Sequence, residues 1–292
     1  MTRFCYYFLL LMVYSFLGWC GEMVYCSIGQ RRLCEKRGFL NGPLCPIYGH
    51  GALVVLLCLR GGCANPLLTF LFGAVLTSIV EYITSYVMEK LFHMRWWDYS
   101  RYRFHINGRV CLLNSTLFGL ASVFLCHAAN PPIAARLEAF LATAAGIPLT
   151  FVLLAVYLAD IVLSVRSAIR IGSRLAKLHA IHDELAQRLE ELKAEQQQNL
   201  EAQRQRLEQL AAETVHTVQA KLEPFAGRTD EFAARLETAK AEAQQKLRAL
   251  YDRQDFFERR LLRSFPTMRS SRHPEALKKL REHLASRKKE KM

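Results

Sequence analysis

Apolar residues come in long unbroken runs through the first 165 positions and in spaced stripes through the remainder, so the chain divides near Val165. Five runs, Phe4 to Ile28, Leu44 to Leu59, Leu67 to Phe92, Val110 to Ala128 and Phe140 to Val165, are candidates for crossing a bilayer, which takes about 20 residues of helix. The second is the short one. It is entered through a stretch holding Gly38, Gly42, Pro43, Cys45, Pro46, Tyr48, Gly49 and Gly51, in which the glycines and prolines make poor helix. Irregular backbone at that depth is tolerated only where protein or a wet cavity satisfies its amides. The stretch therefore predicts a packed bundle, with the second run either spanning or re-entrant.

Beyond Val165 the pattern becomes helical and water-facing. Leu175, Leu178, Leu185, Leu189 and Leu192 keep a spacing of three and four, and Leu200, Leu207 and Leu210 resume it out of phase, a heptad pattern with a stutter. Pro224 and Gly227 predict a break, after which Thr229, Asp230 and Glu231 supply the cap and acidic first turn of another helix running to about Arg263. These helices fold back as an antiparallel hairpin or self-associate between subunits through residues 175–263. The pattern serves both.

The expected fold is all-α. A polytopic membrane bundle of about five spans occupies residues 1–165, cytoplasmic coiled-coil helices occupy 166–263 with the break near 224–228, and a basic C-terminal tail occupies 264–292.

Charge sets the orientation. The chain carries a net +13. Arg31, Arg32, Lys36 and Arg37 lie between the first two runs, Lys90, Arg95, Arg101, Arg103 and Arg109 between the third and fourth, and Arg166, Arg170, Arg174 and Lys177 after the fifth. The opposite side shows only Arg3, Arg60 and Arg136. Basic residues concentrate on the cytoplasmic side, which places this chain in the cell membrane with its N-terminus outside and its C-terminus in the cytoplasm. From Arg259 onward twelve Lys and Arg stand against three acids, a composition suited to anionic lipid, with nucleic acid the less favoured partner.

The polar residues inside the runs are the candidate chemistry. Thr77, Glu81, Ser85 and Glu89 recur every four residues and share one helical face. Glu81 lies roughly 17 Å from the inner end of its helix, near mid-membrane, where an ionisable residue faces a bundle interior or a cavity. Glu22, Glu89 and Asp160 lie nearer the basic loops. Two readings stand: the acids pair with Arg31, Arg37, Arg95 or Arg109 and fix packing, or they line a cytoplasm-facing site for a cation, proton or polar solute. After the third run comes Trp96-Trp97-Asp98-Tyr99-Ser100 and then Asn107-Gly108-Arg109, in which the paired tryptophans fit an interfacial aromatic belt and Asp98 requires a basic partner.

Nothing points to an enzyme, a cofactor or a metal. The nine cysteines all fall before residue 127 and form no Cys-x-x-Cys pair, while His93 and His105 have no second ligand at metal spacing. There is no Gly-x-x-x-x-Gly-Lys-Ser/Thr loop, so any ATP-driven role requires a separate P-loop ATPase subunit.

Taken together, Ser15-Phe16-Leu17-Gly18-Trp19 with Glu22 and Tyr25, Arg37-Gly38-Phe39-Leu40 leading into Gly42-Pro43 and Cys45-Pro46-Ile47-Tyr48-Gly49 with Gly51, Glu81-Tyr82 with Glu89, and Trp96-Trp97-Asp98-Tyr99-Ser100 resemble a bacterial permease-like membrane family, the one named "Putative ABC-transporter type IV". The resemblance covers roughly residues 10 to 130. It implies a multi-pass subunit of an ABC-type transporter and leaves the substrate open. The long helical tail is a departure from the family pattern and suits a scaffold or tether.

Overall fold

The computed structural model describes residues 1–30, 38–59, 65–210, 218–252 and 256–290. It comprises two compact units, Met1–Gly172 with Asp255–Leu277, and Ser173–Gln254 with Lys278–Met292.

In the first unit, helix α1 spans Thr2–Gln30 without a proline or an interior break. Helix α2 (Pro46–Cys58) has its proline in the first turn, where the missing N–H has no partner to lose. Helix α3 (Pro66–Phe92) is capped by Asn65, whose side chain accepts from the Leu67 N–H at 2.9 Å, and it stops at His93 in the left-handed region. Then come three two-residue strands, β1 (Met94–Arg95), β2 (His105–Ile106) and β3 (Val110–Cys111), and helix α4 (Leu112–Phe124). A π-helical turn at Leu125–Ala129 joins α4 to α5 (Asn130–Leu141), and α6 begins at Gly146 and runs to Leu210.

The four helical stretches Thr2–Ile28, Pro66–Phe92, Leu112–Leu141 and Gly146–Arg206 are long and apolar enough to cross a membrane. Their exposed side chains include Leu71, Phe72, Val75, Ile79 and Ile83 on α3 and Val152, Val156 and Val162 on α6, an apolar exterior that water would not favour and lipid would. Small residues let the helices approach. Gly73 leaves no room for a β-carbon beside Ser122, and the Ser78 and Ser115 hydroxyls meet at 2.7 Å across α3 and α4.

The second expected run differs from a full span. Helix α2 has 13 residues, about 20 Å, against a hydrocarbon core of about 30 Å. The preceding residues are non-helical, and the Cys45 N–H donates to the Ser15 carbonyl halfway along α1 at 3.0 Å. Gly and Pro hold this segment open, and protein groups take up its amides. The Asn130-Pro131-Pro132 segment is helical: the preceding π turn, closed by Asn130 N–H to the Leu125 carbonyl, accommodates the prolines.

The boundary expected at residue 264 moves. Helix α8 (Phe256–Ser264) and strand β4 (Arg269–Ser270) belong with the first unit, where β4 pairs antiparallel with β1. Leu261, Leu262 and Met268 are buried, and their apolar surface is the reason this segment is not a free basic tail.

In the second unit the continuation of α6 runs antiparallel to α7 (Val218–Asp252). Lys246 pairs with Glu184 at 3.3 Å, Arg188 with Glu242 at 3.4 Å and Arg235 with Glu195 at 3.8 Å. Each step down one helix is matched by an equal step up the other, so the hairpin is formed within one chain. Ile181, Leu185, Ala239 and the buried Ala243 lie between these pairs. Helix α7 includes Pro224 and Gly227, so the break expected at 224–228 is absent. One proline deletes one hydrogen bond, and the Ala, Glu, Lys and Arg around it sustain the rest of the helix. Helix α9 (Pro274–Glu290) places Lys279 3.1 Å from His182, and His283 stacks on Tyr251 with ring centroids 4.8 Å apart.

Candidate functional site

Three polar clusters gather at the acids singled out in the sequence, and they differ in kind. The first is built on Asp160 of α6. Its Oδ1 accepts from the Asn41 backbone N–H and side-chain amide, both at 2.8 Å, and its Oδ2 accepts from the Gly42 N–H at 2.7 Å. Ser164 donates to the same Oδ1 at 3.3 Å. The loop it holds carries Leu40, 1% exposed, into a core with Phe8, Met12 and Tyr157. Gly38 sits at φ +103°, which only glycine adopts without strain, and a β-carbon on Gly42 would crowd the Asp160 carboxylate. Asp160 is thus the anchor of the irregular segment.

The second cluster is built on Glu89 of α3. Arg109 approaches its Oε2 at 2.7 Å and Arg95 approaches the same oxygen at 3.3 Å, while the Ser271 hydroxyl donates to Oε1 at 2.8 Å. Arg109 also donates to Ser85 at 3.2 Å and lies over the rings of Tyr82 and Tyr86. Asn107 and Gly108, both at positive φ, form the turn between β2 and β3 that returns Arg109 to this position. The Trp97 indole donates to the Arg109 carbonyl at 3.0 Å, and the Asn107 side chain donates to the Tyr82 hydroxyl at 3.0 Å. Asp98 receives the Ser100 backbone N–H at 3.0 Å and pairs with Arg269 at 2.9 Å. Burial pushes the Asp98 carboxyl up, but the Ser100 hydroxyl and N–H, then the charges of Arg269 and Arg95, outweigh it and hold the group below the usual carboxylate range.

The third cluster brings Glu22 and Glu81 together with two tyrosines. The Tyr48 hydroxyl donates to Glu22 Oε2, and the Tyr99 hydroxyl reaches back from its loop to donate to Glu81 Oε1 at 3.1 Å. Glu81 is 4% exposed and its other oxygen is buried without a hydrogen-bond partner among the described residues. The Tyr99 hydroxyl is pushed well up, first by burial, then by Glu81 and by Glu22, which places both acids in one electrostatic neighbourhood. Close packing sets the geometry. Gly18 of α1 faces Tyr48 with no room for a β-carbon, Gly49 lies as tightly against Ser15 and the Leu11 carbonyl, and Gly51 faces the Thr77 methyl.

The sequence face Thr77, Glu81, Ser85, Glu89 therefore divides. Glu89 takes the ion-pairing role with Arg95 and Arg109, and Glu81 stands apart with a tyrosine. Arg31 and Arg37, the other expected partners, lie outside the described residues. Trp96 corrects an expectation: it is 1% exposed and packs edge-on against Phe39, Phe92 and Phe265 with centroids 5.0 to 5.8 Å away, so it is a core residue and not an interfacial anchor. Cys45 is buried at the N-cap of α2, Pro46 opens that helix and Pro43 is exposed. No group of metal-ligating side chains is assembled among the described residues.

Sequence reasoning missed Arg260, Arg269 and Ser271, which were read as part of a basic tail. Arg260 donates to the Phe39 carbonyl at 2.8 Å and the Gly38 carbonyl at 3.4 Å. The signal was present in Leu261, Leu262, Phe265 and Met268, apolar residues at helical spacing that a solvated tail does not need.

No curated protein and no solved structure matches this chain. A family does: the one described as "Putative ABC-transporter type IV" matches over residues 9–165, the stretch that holds Glu22, the Gly38 to Gly51 segment, Glu81, Glu89, the Trp96 to Arg109 loop and Asp160. With more than half of its length matched and four helices able to cross a membrane, the chain is a membrane protein belonging to this family.

Proposed function

We propose that this chain is the permease-like, membrane-embedded subunit of an ATP-driven transporter, with the pair Glu22–Tyr48 and Glu81–Tyr99 as its polar site. The observation that carries the reading is Glu81. A carboxylate buried in a membrane-crossing helix costs at least about 2.5 kcal/mol, and among the described residues this one is met by a loop tyrosine and not by an arginine. Glu89, by contrast, has its arginines, and Asp160 has its amides. The loop 38–45 followed by the half-length helix α2 makes one broken crossing beside this pair, giving five crossings in all. Broken helices are where transporters build binding sites. The N-terminus is then outside, and the basic loops, the α6–α7 coiled coil and the C-terminus lie in the cytoplasm. A separate P-loop ATPase supplies the energy, the chain itself catalyses nothing, and the basic C-terminal residues contact anionic lipid.

A second reading, a membrane-anchored scaffold acting through the α6–α7 hairpin, is favoured by the fixed register of its ion pairs. One experiment separates the two: purification in mild detergent, mass spectrometry of what accompanies the chain, and ATP hydrolysis on the same sample. A stoichiometric P-loop ATPase whose coupled activity is lost in Glu81→Gln, at unchanged expression and assembly, supports the transporter. A different partner that disappears when residues 193–236 are replaced by a short Gly/Ser turn establishes the scaffold and sinks the transport reading.

A further inference from the structure

Residues 256–271 lie about ninety positions beyond the end of the family match, yet they close over the two most distinctive loops inside it. The contacts run in order along the segment. Arg260 takes the carbonyls of Gly38 and Phe39, Phe265 packs on Trp96 at 5.0 Å, and β4 extends β1 by backbone pairing. Arg269 then pairs with Asp98, and Ser271 donates its N–H to the His93 carbonyl at 3.0 Å and its hydroxyl to Glu89.

The pairing of β4 with β1 is strand addition to an open edge, a mode by which proteins take up peptides, and the helix before it adds Arg260 at two carbonyls while Phe265 adds an aromatic against Trp96. Phe39 also touches Phe92 and Trp96, so the Gly38 loop and the Trp96 loop meet at the same ring cluster. Burial pulls the Arg260 guanidinium below its ordinary value while Asp160 works in the opposite direction. A buried arginine held by two carbonyls is a selective contact, because a lysine cannot span both in one plane.

We propose that the two motif loops together form an acceptor surface for an arginine-bearing segment made of one short helix and a following strand, filled here by the chain's own residues 256–271. The segment is an in-chain occupant, and a segment of the same chemistry from elsewhere competes for the surface only by displacing it. What the surface is used for rests on the transport reading, in which these loops face a partner subunit. The binding itself does not.

Hydrogen exchange with mass spectrometry on the full chain in detergent tests it, comparing wild type with Arg260→Gln plus Arg269→Gln. Peptides covering 38–45 and 93–111 are expected to exchange about ten-fold faster in the variant, together with 256–271, because opening then requires fewer contacts to break. Exchange in α4 and in the α6–α7 hairpin stays unchanged, which separates local release from unfolding. If α4 also accelerates, the milder Arg269→Gln alone, whose side chain is 61% exposed, replaces the double variant. A synthetic peptide of residues 256–272 added to the variant should restore protection to both loops, and the same peptide carrying both Gln substitutions should not. Loops that ignore the loss of the arginines, or two peptides that act alike, overturn the inference. Absence of any ATPase in the purified sample would sink the transport reading and leave this result standing.

Discussion

Replacing Asp160 by alanine is the sharpest perturbation the structure offers, because the carboxylate holds a loop whose backbone forms neither helix nor strand. Four donors converge on it, two of them the backbone amides of Asn41 and Gly42. Alanine leaves both amides without their acceptor, and an unsatisfied buried amide costs roughly 1–3 kcal/mol, so the two together amount to about 4 kcal/mol. The true figure should exceed this, since Arg260 then loses the opposing charge that acts on it. Asparagine discriminates. Its single carbonyl oxygen can replace Oδ1, which serves three donors, while its NH2 group is left facing the Gly42 N–H, so about 2 kcal/mol is expected. Equilibrium unfolding in mixed micelles of increasing SDS content gives the two costs, and hydrogen exchange over residues 38–45 locates them. A cost under about 1 kcal/mol for Asp160→Ala, or equal costs for the two variants, would refute the anchoring argument.

Two further outcomes concern the Asp98 loop. Gly108 sits at φ +67°, and a β-carbon there would strike the Ser100 hydroxyl and the Asp98 carboxylate, so Gly108→Ala should cost more than the ~1 kcal/mol of an unobstructed left-handed position and should release Arg109 from Glu89, read as faster exchange over 93–111. The Asp98 carboxyl is held below its ordinary range, so its contribution is complete above about pH 4 and is lost as the pH falls through the folded value. Pairing of β4 with β1 should therefore weaken only in strong acid, and a transition between pH 5 and 8 that vanishes in Asp98→Asn would contradict this assignment.

Hydropathy was enough to divide the chain near Val165 and to find five apolar runs, four of which lie in helices long enough to cross a membrane, because a run of apolar side chains answers to the solvent around it and to nothing else in the chain. The four-residue recurrence from Thr77 to Glu89 likewise placed these residues on one face, since helical periodicity is local. The family motifs pointed to the same loops. What the sequence left open is what each acid does. Glu89, Asp160 and Glu81 look alike in a chain of letters, and only tertiary structure gives Glu89 two arginines, Arg95 and Arg109, gives Asp160 four donors with the backbone amides of Asn41 and Gly42 among them, and gives Glu81 the Tyr99 hydroxyl. The antiparallel hairpin within one chain was equally invisible, because a heptad stripe suits pairing within or between chains, and its register shows only in the meeting of Glu184 with Lys246. Trp96 and Arg260 were misplaced for the same reason: an aromatic or basic residue near a membrane satisfies the pattern of a lipid-facing surface, and although Leu261, Leu262, Phe265 and Met268 signal that their segment is buried, the partner it is buried against lies well over a hundred residues away and is fixed only by tertiary packing.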